Sequence, residues 1–411
     1  MTARIVEKAG VAASVASAAS ADDAGVRARK TAAAVAAAAA PASSERACKD
    51  STVGSSESDD MSHRLKRFQH NAPTANPSPA DLTDGYGAAL HKTDFHWVGT
   101  DEPHASRRKL ILAKYPHIRD LYGYDHKTVW ITLGLVTLQL TMAYLLRNSS
   151  VWFILPFAWA ISGSSNSCLN MVVHECAHGL ALKYRPYNAV LGMIANIPTC
   201  VPSSITFRRY HLDHHTSQGV DGVDVDLPTD LEGKYVRGRF LKALWLFFVP
   251  LFYTLRPMFV KPRSPILAEN INQAFIITID VLIYHFWGWR SLFYLFGGLW
   301  LGSSYHPSAA HFIAEHFEFA AGAETYSYYG PLNNIMLNVG YHNEHHDFPY
   351  VPWTRLHKIR EAAPEFYSDL PQCRSWVRCI WDFVFDPKIT LYSRVKREAR
   401  QKQLLAELAA K

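Results

Sequence analysis

Three clusters of histidine carry the chemistry of this 411-residue sequence. His342, His345 and His346 stand at i, i+3 and i+4 within residues 338–349, Asn-Val-Gly-Tyr-His-Asn-Glu-His-His-Asp-Phe-Pro, and His211, His214 and His215 repeat that spacing upstream. His174 and His178 form an i, i+4 version in His-Glu-Cys-Ala-His. On an α-helix these offsets share one face. A chain with 20 histidines in 411 residues would contain His-x-x-His-His about 0.05 times by chance, and it occurs twice. Neutral imidazole is a good ligand for iron, zinc or copper. Eight box histidines exceed the ligand set of one zinc, so two metals fit the count better. A pair of irons can activate dioxygen for hydrogen removal from an unactivated C–H bond, which no side chain does alone.

A ninth ligand is expected from the segment 306–316. His311 and His316 are five residues apart, about 140° around a helix, so they point in different directions. His316 is the expected ligand; His311 is the alternative, or contacts a substrate headgroup. Polar neighbours would hold the outer N–H groups of the ligand rings: Glu175, Asp213, Glu315, Asn343, Glu344 and Asp347 stand next to histidines of the set or one residue away, and Asp224 and Asp226 follow the second box. An ordinary solvated loop position is the rival role for each. Cys176, between His174 and His178, is expected to pack. His174-Glu175-Cys176-Ala177-His178 also matches the zinc-protease pattern with Glu175 as base, but a protease would leave both His-x-x-His-His boxes idle. A metal transporter would need its histidines inside membrane spans.

The elements that must position these boxes are apolar. Thr128–Leu146 and Val151–Val173 predict a helical hairpin whose second helix runs into His174, and Ile271–Trp287 with Ser291–Tyr305 predict another that leads to His306, His311 and His316. Asp280 is a costly carboxyl within the third span. Residues 188–207, broken by Pro198 and Pro202, and Leu241–Leu255, with Pro250, are too short or interrupted to span and are expected at the interface. Lys127 and the basic run 107–109 before the first span place the N-terminus and all boxes on the cytosolic side. The fold class predicted is all-α and integral to a membrane: four transmembrane helices in two hairpins, with a cytosolic helical cap holding a histidine-rich di-iron site.

Composition agrees. Hydrophobic residues make up 48% and aromatics 13% of the chain, and mean hydropathy is only −0.08 because a polar N-terminal tail and charged histidine-box loops dilute it. Six cysteines show no paired spacing, which excludes a disulfide framework or a cysteine zinc site. The net charge of +6 has no basic stripe for nucleic acid and suits loops beside anionic lipid. Residues 1–85, rich in Ala, Ser, Asp and Pro, predict a disordered extension. Residues 91–127 hold a short helix between Pro103 and Pro116 with a basic and an apolar side, suited to a membrane surface or to a soluble core. The main domain is expected over 128–394, followed by a charged helix over 395–411.

The boxes resemble those of membrane fatty-acyl desaturases and hydroxylases, and further segments are similar to the sphingolipid delta-4 desaturases. These are Asp94-Phe95-His96-Trp97, Thr100-Asp101-Glu102-Pro103-His104, Arg107 to Pro116, the 222–229 loop Gly-Val-Asp-Val-Asp-Leu-Pro-Thr, His311 to His316, Glu324 to Asn333, and Asn338 to Pro349. Pro364-Glu365-Phe366-Tyr367 and Tyr392 to Arg397 also fit, so the resemblance spans about 91–397. It implies O2-dependent conversion of dihydroceramide to ceramide by a trans 4,5 double bond, with sphingolipid C4-hydroxylation or another acyl desaturation as alternatives on the same site. It implies two Fe ions, electrons from NADH through cytochrome b5 and its reductase, and a multi-pass place in the endoplasmic reticulum membrane with both termini cytosolic. By motif position it implies His174, His178, His211, His214, His215, His342, His345 and His346 as ligands, with His316 the ninth.

Overall fold

In a computed structural model of the chain, residues 93–320 and 322–399 are described. The expected extension over 1–85 and residues 400–411 of the expected C-terminal helix lie outside the described residues.

The described chain is mostly helical. Helix α1 (Pro103–Lys114) starts where the Glu102 carboxylate accepts from the His104 and Ala105 amides, with Pro103 in the first turn. There the missing proline N–H would have had no helical partner. Its buried residues, His104, Arg107 and Ile111, make one stripe at i, i+3 and i+7. Its basic side is therefore not all turned to a membrane surface: Arg107 faces inward. Helix α2 (Lys127–Leu145) follows. Helix α3 (Val151–Phe157), a π-helical stretch (Ala158–Gly163) and α4 (Ser164–His178) run on in sequence. Pro156 removes one amide donor, and the wider turns follow directly. Gly179, at φ +77°, ends α4 in the left-handed conformation glycine takes freely.

Helix α5 (Arg185–Ala195) leads through Pro198 and Pro202 to α6 (Ser204–Thr216), with a bend of 113° between Arg185–Thr199 and Ser204–Thr216. After α7 (Asp230–Tyr235), helices α8 (Gly238–Phe247) and α9 (Val249–Val260) bend by 79° at Phe248, just before Pro250. Helices α10 (Leu267–Trp287) and α11 (Trp289–Gly302) form the expected hairpin through Gly288, φ +84°. Short helices α12 (His311–Ala314) and α13 (His342–Asp347) precede α14 (Leu356–Ala362) and α15 (Trp376–Phe385). Two parallel strand pairs, β1 (His96–Trp97) with β4 (Val395–Lys396) and β2 (Ser327–Tyr328) with β3 (Gln372–Cys373), tie distant segments together. The predicted helix thus does not begin at 395. Val395–Lys396 is a strand, with Lys396 Nζ 4.0 Å from the Phe95 ring centroid and Arg397 paired with Glu324. The charges expected to face water on a helix are absorbed by the fold.

Polar side chains and glycines lock the long helices. Gln139 Nε2 donates to Asn166 Oδ1 at 3.1 Å, and Asn166 Nδ2 donates to the Leu295 carbonyl at 3.2 Å, joining α2, α4 and α11. A Cβ on Gly302 would stand 2.8 Å from Gly163 Cα, so glycine permits backbone-to-backbone contact there. Leu169 and Val172 of α4, Leu246 of α8, Ile313, Phe317 and Phe383 share one apolar core. Among the described residues one helix, Lys127–Leu145, is by itself long and apolar enough to cross a membrane, and the two bent pairs reach that measure only if each is one span. The other expected spans are diluted or short for physical reasons. Serine and asparagine fill the start of α4, α10 carries Glu269, Asn270, Asn272, Gln273 and Asp280, and α11 has 14 residues.

Candidate metal centre

The histidine boxes sit on helices and converge. His174 and His178 occupy the last turns of α4, His211, His214 and His215 the end of α6, and His342, His345 and His346 the short α13. Ligand nitrogens of His174, His178, His211, His215 and His345 lie within 4.8 Å of one another, and those of His214, His316 and His346 form a second such group. His342 adjoins the second group, its Nε2 2.9 Å from His316 Nε2. The boxes therefore divide between the groups. His211 and His215, at i and i+4, serve the first, while His214, about 100° around the helix from His215 and about 60° from His211, serves the second. His345 and His346 separate in the same way. His316 joins a group and His311 does not.

The arrangement fits metal ions. His211 Nε2 lies 2.9 Å from His178 Nε2 and 3.1 Å from His215 Nε2, and His215 Nε2 lies 3.2 Å from His345 Nε2. One nitrogen has either one proton or one lone pair to offer, so neither His211 nor His215 can satisfy both of its contacts by hydrogen bonding. The Nδ1 atoms of His215, His342 and His345 and the Nε2 of His346 are buried without a hydrogen-bond partner, a state that is costly unless something else is bound. Burial holds eight of the nine rings neutral: His174 is pushed down to about 3, and His178, His211, His215, His316, His342, His345 and His346 fall well below the usual imidazole range. At His214 burial acts the same way but is outweighed by the charge and hydrogen bond of Asp224, and the ring is raised. Neutral, converging imidazoles suit iron, zinc or copper rather than the oxygen-seeking magnesium or calcium.

Few of the predicted supporting residues touch a box ring. Asp224 does: its Oδ1 lies 3.0 Å from His214 Nδ1, and it also accepts from the Gly219 and Asp226 amides. Glu315 reaches toward two rings, 3.5 Å from His311 Nδ1 and 3.6 Å from His342 Nδ1. His316 Nδ1 finds a backbone partner instead, donating to the Glu324 carbonyl at 3.2 Å. The others are engaged elsewhere. Glu175 accepts from the Trp353 amide at 3.2 Å, and burial pushes its carboxyl up to about 8. Asp213 pairs with Lys261 and Arg263, and Asp226 with Arg394. Asn343 accepts from Arg107, and Glu344 from Ser327 and Tyr329. Asp347 accepts from His104, Arg107 and Tyr367. The reason is geometric: a residue next to a helical histidine points about 100° away from it, so adjacent acids brace the box helices from behind.

That bracing identifies residues whose roles the sequence pattern did not show. His104, Arg107 and Tyr367 surround Asp347, while Ser327 and Tyr329 hold Glu344. His104 Nε2 is 3.0 Å from Thr325 Oγ1, to which Gln218 Nε2 also donates. The available signal was the spacing of His104, Arg107 and Ile111 on one face of α1, a stripe that includes a charge.

The chain matches the family described as Fatty acid desaturase over residues 150–375 and that described as Sphingolipid Delta4-desaturase (DES) over 91–127. It is 46% identical over 316 residues to sphingolipid delta(4)-desaturase DES1 of Drosophila melanogaster, covering 76% of this chain and 98% of the relative. The protein of the same name from Homo sapiens is 44% identical over 321 residues, 78% of this chain and 99% of the relative. Sphingolipid delta(4)-desaturase DES1-like of Oryza sativa subsp. japonica is 47% identical over 310 residues, 75% and 94% respectively. A chain with these histidine groups and this likeness over nearly the full length of such relatives belongs to the sphingolipid delta(4)-desaturases, within the fatty acid desaturase family.

Proposed function

We propose that this protein is a membrane sphingolipid delta(4)-desaturase that converts dihydroceramide to ceramide. The balanced reaction takes an N-acylated saturated sphingoid base, dioxygen, two electrons and two protons, and yields the trans 4,5-unsaturated base and two waters. The electrons come from NADH through cytochrome b5 and its reductase. The observation that carries the reading is the convergence of nine histidines from four separate segments into two neighbouring nitrogen clusters, in a chain whose relatives bear this enzyme name. His174, His178, His211, His215 and His345 would hold one iron, and His214, His316, His342 and His346 the other. Bound irons supply dioxygen activation, the chemistry needed for an unactivated C–H bond.

The chain's own residues perform the rest. Asp224 fixes the tautomer and direction of His214. Arg107, His104 and Tyr367 anchor α13 through Asp347, and Ser327 and Tyr329 anchor it through Glu344. Such bracing keeps carbons 4 and 5 of the substrate at a fixed distance from the metals, and position decides between a second hydrogen removal and hydroxylation. The membrane-spanning segments in this reading are 128–146, 151–173, 271–287 and 291–305, with the boxes beyond their ends on the cytosolic side of the endoplasmic reticulum membrane. Outward apolar side chains along them support it: Trp130 is 72% exposed, Trp152 84% and Phe286 71%, more than a water-facing surface normally presents.

The test is lipid mass spectrometry on desaturase-deficient cells expressing the full chain and fed labelled dihydroceramide. A product lighter by about two mass units is expected. A product heavier by one oxygen would move the enzyme to the C4-hydroxylases, and an unchanged lipid, with protein and electron donors present, would sink the reading.

A further inference from the structure

His311 belongs to neither histidine group, but it shares the carboxylate of Glu315 with His342. It is 9% exposed, and its Nδ1 faces Glu315 Oε2 at 3.5 Å. The other oxygen of that carboxylate faces His342 Nδ1 at 3.6 Å. One carboxylate thus lies between the two rings, at ion-pair rather than hydrogen-bond distance from each. With its Nδ1 proton directed at Glu315, His311 leaves Nε2 as an acceptor. That nitrogen has no hydrogen-bond partner among the described residues. Its neighbour in the chain, His306, is already engaged by Ser164 and Ser308.

The ring also marks a boundary. It packs on Phe312, centroids 4.0 Å apart, and Phe312 packs on Tyr253 of the apolar helix α9 at 4.9 Å. On the other side stands Glu315, which in turn faces His342 at the second histidine group. A lipid that reacts at carbons 4 and 5 of a sphingoid base has its polar atoms crowded next to the reacting bond: a hydroxyl on carbon 3, an amide on carbon 2 and a hydroxyl on carbon 1. The group that receives them must be near the metals, buried, able to accept a hydrogen bond and free of ligand duty. Among the described histidines of the site, His311 meets these conditions.

We propose that His311 Nε2 accepts a hydrogen bond from the 3-hydroxyl of the sphingoid base, so that Glu315 and His311 form the subsite that selects 3-hydroxylated chains and places carbon 4 at the metals. This rests on the desaturase function proposed above. A site built to pair a hydroxyl rejects the analogue lacking it, because a buried acceptor is left unsatisfied.

The experiment uses full-length protein in membranes with electron donors, and compares N-acyl sphinganine with its 3-deoxy analogue for the wild type and His311→Leu. Iron content is measured on each purified protein. The wild type is expected to prefer the hydroxylated lipid by about 10- to 100-fold in kcat/KM. In His311→Leu, which has no acceptor, that ratio should fall to within about threefold of unity, with iron unchanged. Where the variant turns over too slowly to read, competition between the two lipids for binding to it gives the same ratio. Equal use of both lipids by the wild type overturns the subsite while leaving the desaturase standing. So does a variant that keeps the preference, and so does loss of iron, which would make His311 a ligand. A wild type that desaturates neither lipid overturns the function itself.

Discussion

Arg107 grips Asp347 with two nitrogens, Nε 2.7 Å from Oδ2 and Nη2 2.9 Å from Oδ1, although 240 residues separate them. Their side chains are 3% and 0% exposed, and His104 Nδ1 and the Tyr367 hydroxyl each reach the same carboxylate at 2.8 Å. Helix α1 is thereby fastened to the helix that carries the third histidine box. The bidentate fork supplies direction as well as charge, so the N-terminal segment is structural support for the helix of the third histidine box.

Breaking that pair should be severe. Arg107→Met leaves a buried carboxylate without its cation, and removal of one partner of such a pair costs about 3–5 kcal/mol. We expect a lower Tm for the detergent-purified protein and less bound iron. Adding Asp347→Asn to Arg107→Met should recover part of the Tm, since the stranded charge is then gone. A single variant as stable as the wild type would mean that the pair contributes nothing.

Ligand replacement should separate the two groups. His345→Ala removes a nitrogen from the group of five and His346→Ala one from the second group. Each should lower iron from about two per chain toward one and abolish desaturation. The exposed His117 is the control, and His117→Ala should keep both iron and turnover. Full iron and activity in His345→Ala would remove it from the ligand set.

Asp224→Asn tests the support of a single ring. The side chain keeps its size but loses the charge that faces His214 Nδ1 at 3.0 Å. Metal affinity should drop about 10- to 100-fold, read by competition against a chelator. Activity should return when excess iron is supplied. An affinity equal to that of the wild type would show that Asp224 does not govern the ring.

Metal exchange distinguishes binding from chemistry. After chelation, Fe(II) is expected to restore desaturation. Zn(II) should occupy imidazole sites yet give no turnover, because it has no redox chemistry. Restoration by zinc would contradict an iron-dependent oxidation.

The contact of Gly163 with Gly302 predicts a defect away from the metals. A Cβ at 302 would sit 2.7 Å from the Gly163 carbonyl oxygen and 2.8 Å from its Cα. Backbone cannot yield as a flexible side chain does, so Gly302→Ala should destabilise by about 1–3 kcal/mol, seen as a lowered Tm. An unchanged Tm would mean that α11 can move aside freely.

Much of the centre was legible without a structure because local periodicity sets local facing. The i, i+3, i+4 spacing of His211, His214 and His215, and of His342, His345 and His346, put these rings on the sides of short helices, and eight box histidines fitted two metals better than one. Apolar runs marked the two hairpins, and Gly288 marked the turn of the second. What needed the tertiary structure was the division of each box between two clusters, since that depends on how α4, α6 and α13 meet. The same holds for the acids. Glu175, Asp213, Glu344 and Asp347 adjoin histidines in the chain, but a helix turns successive residues about 100° apart, and their partners come from elsewhere in the fold. Asp224 reaches His214 because its loop folds back. Arg107, which looked like part of a basic membrane-facing side, is buried because a carboxylate 240 residues away compensates its charge. Val395–Lys396 became a strand because β1 offered it a partner. Sequence determined which groups could bind metal; packing between distant segments decided which of them meet and what holds them in place.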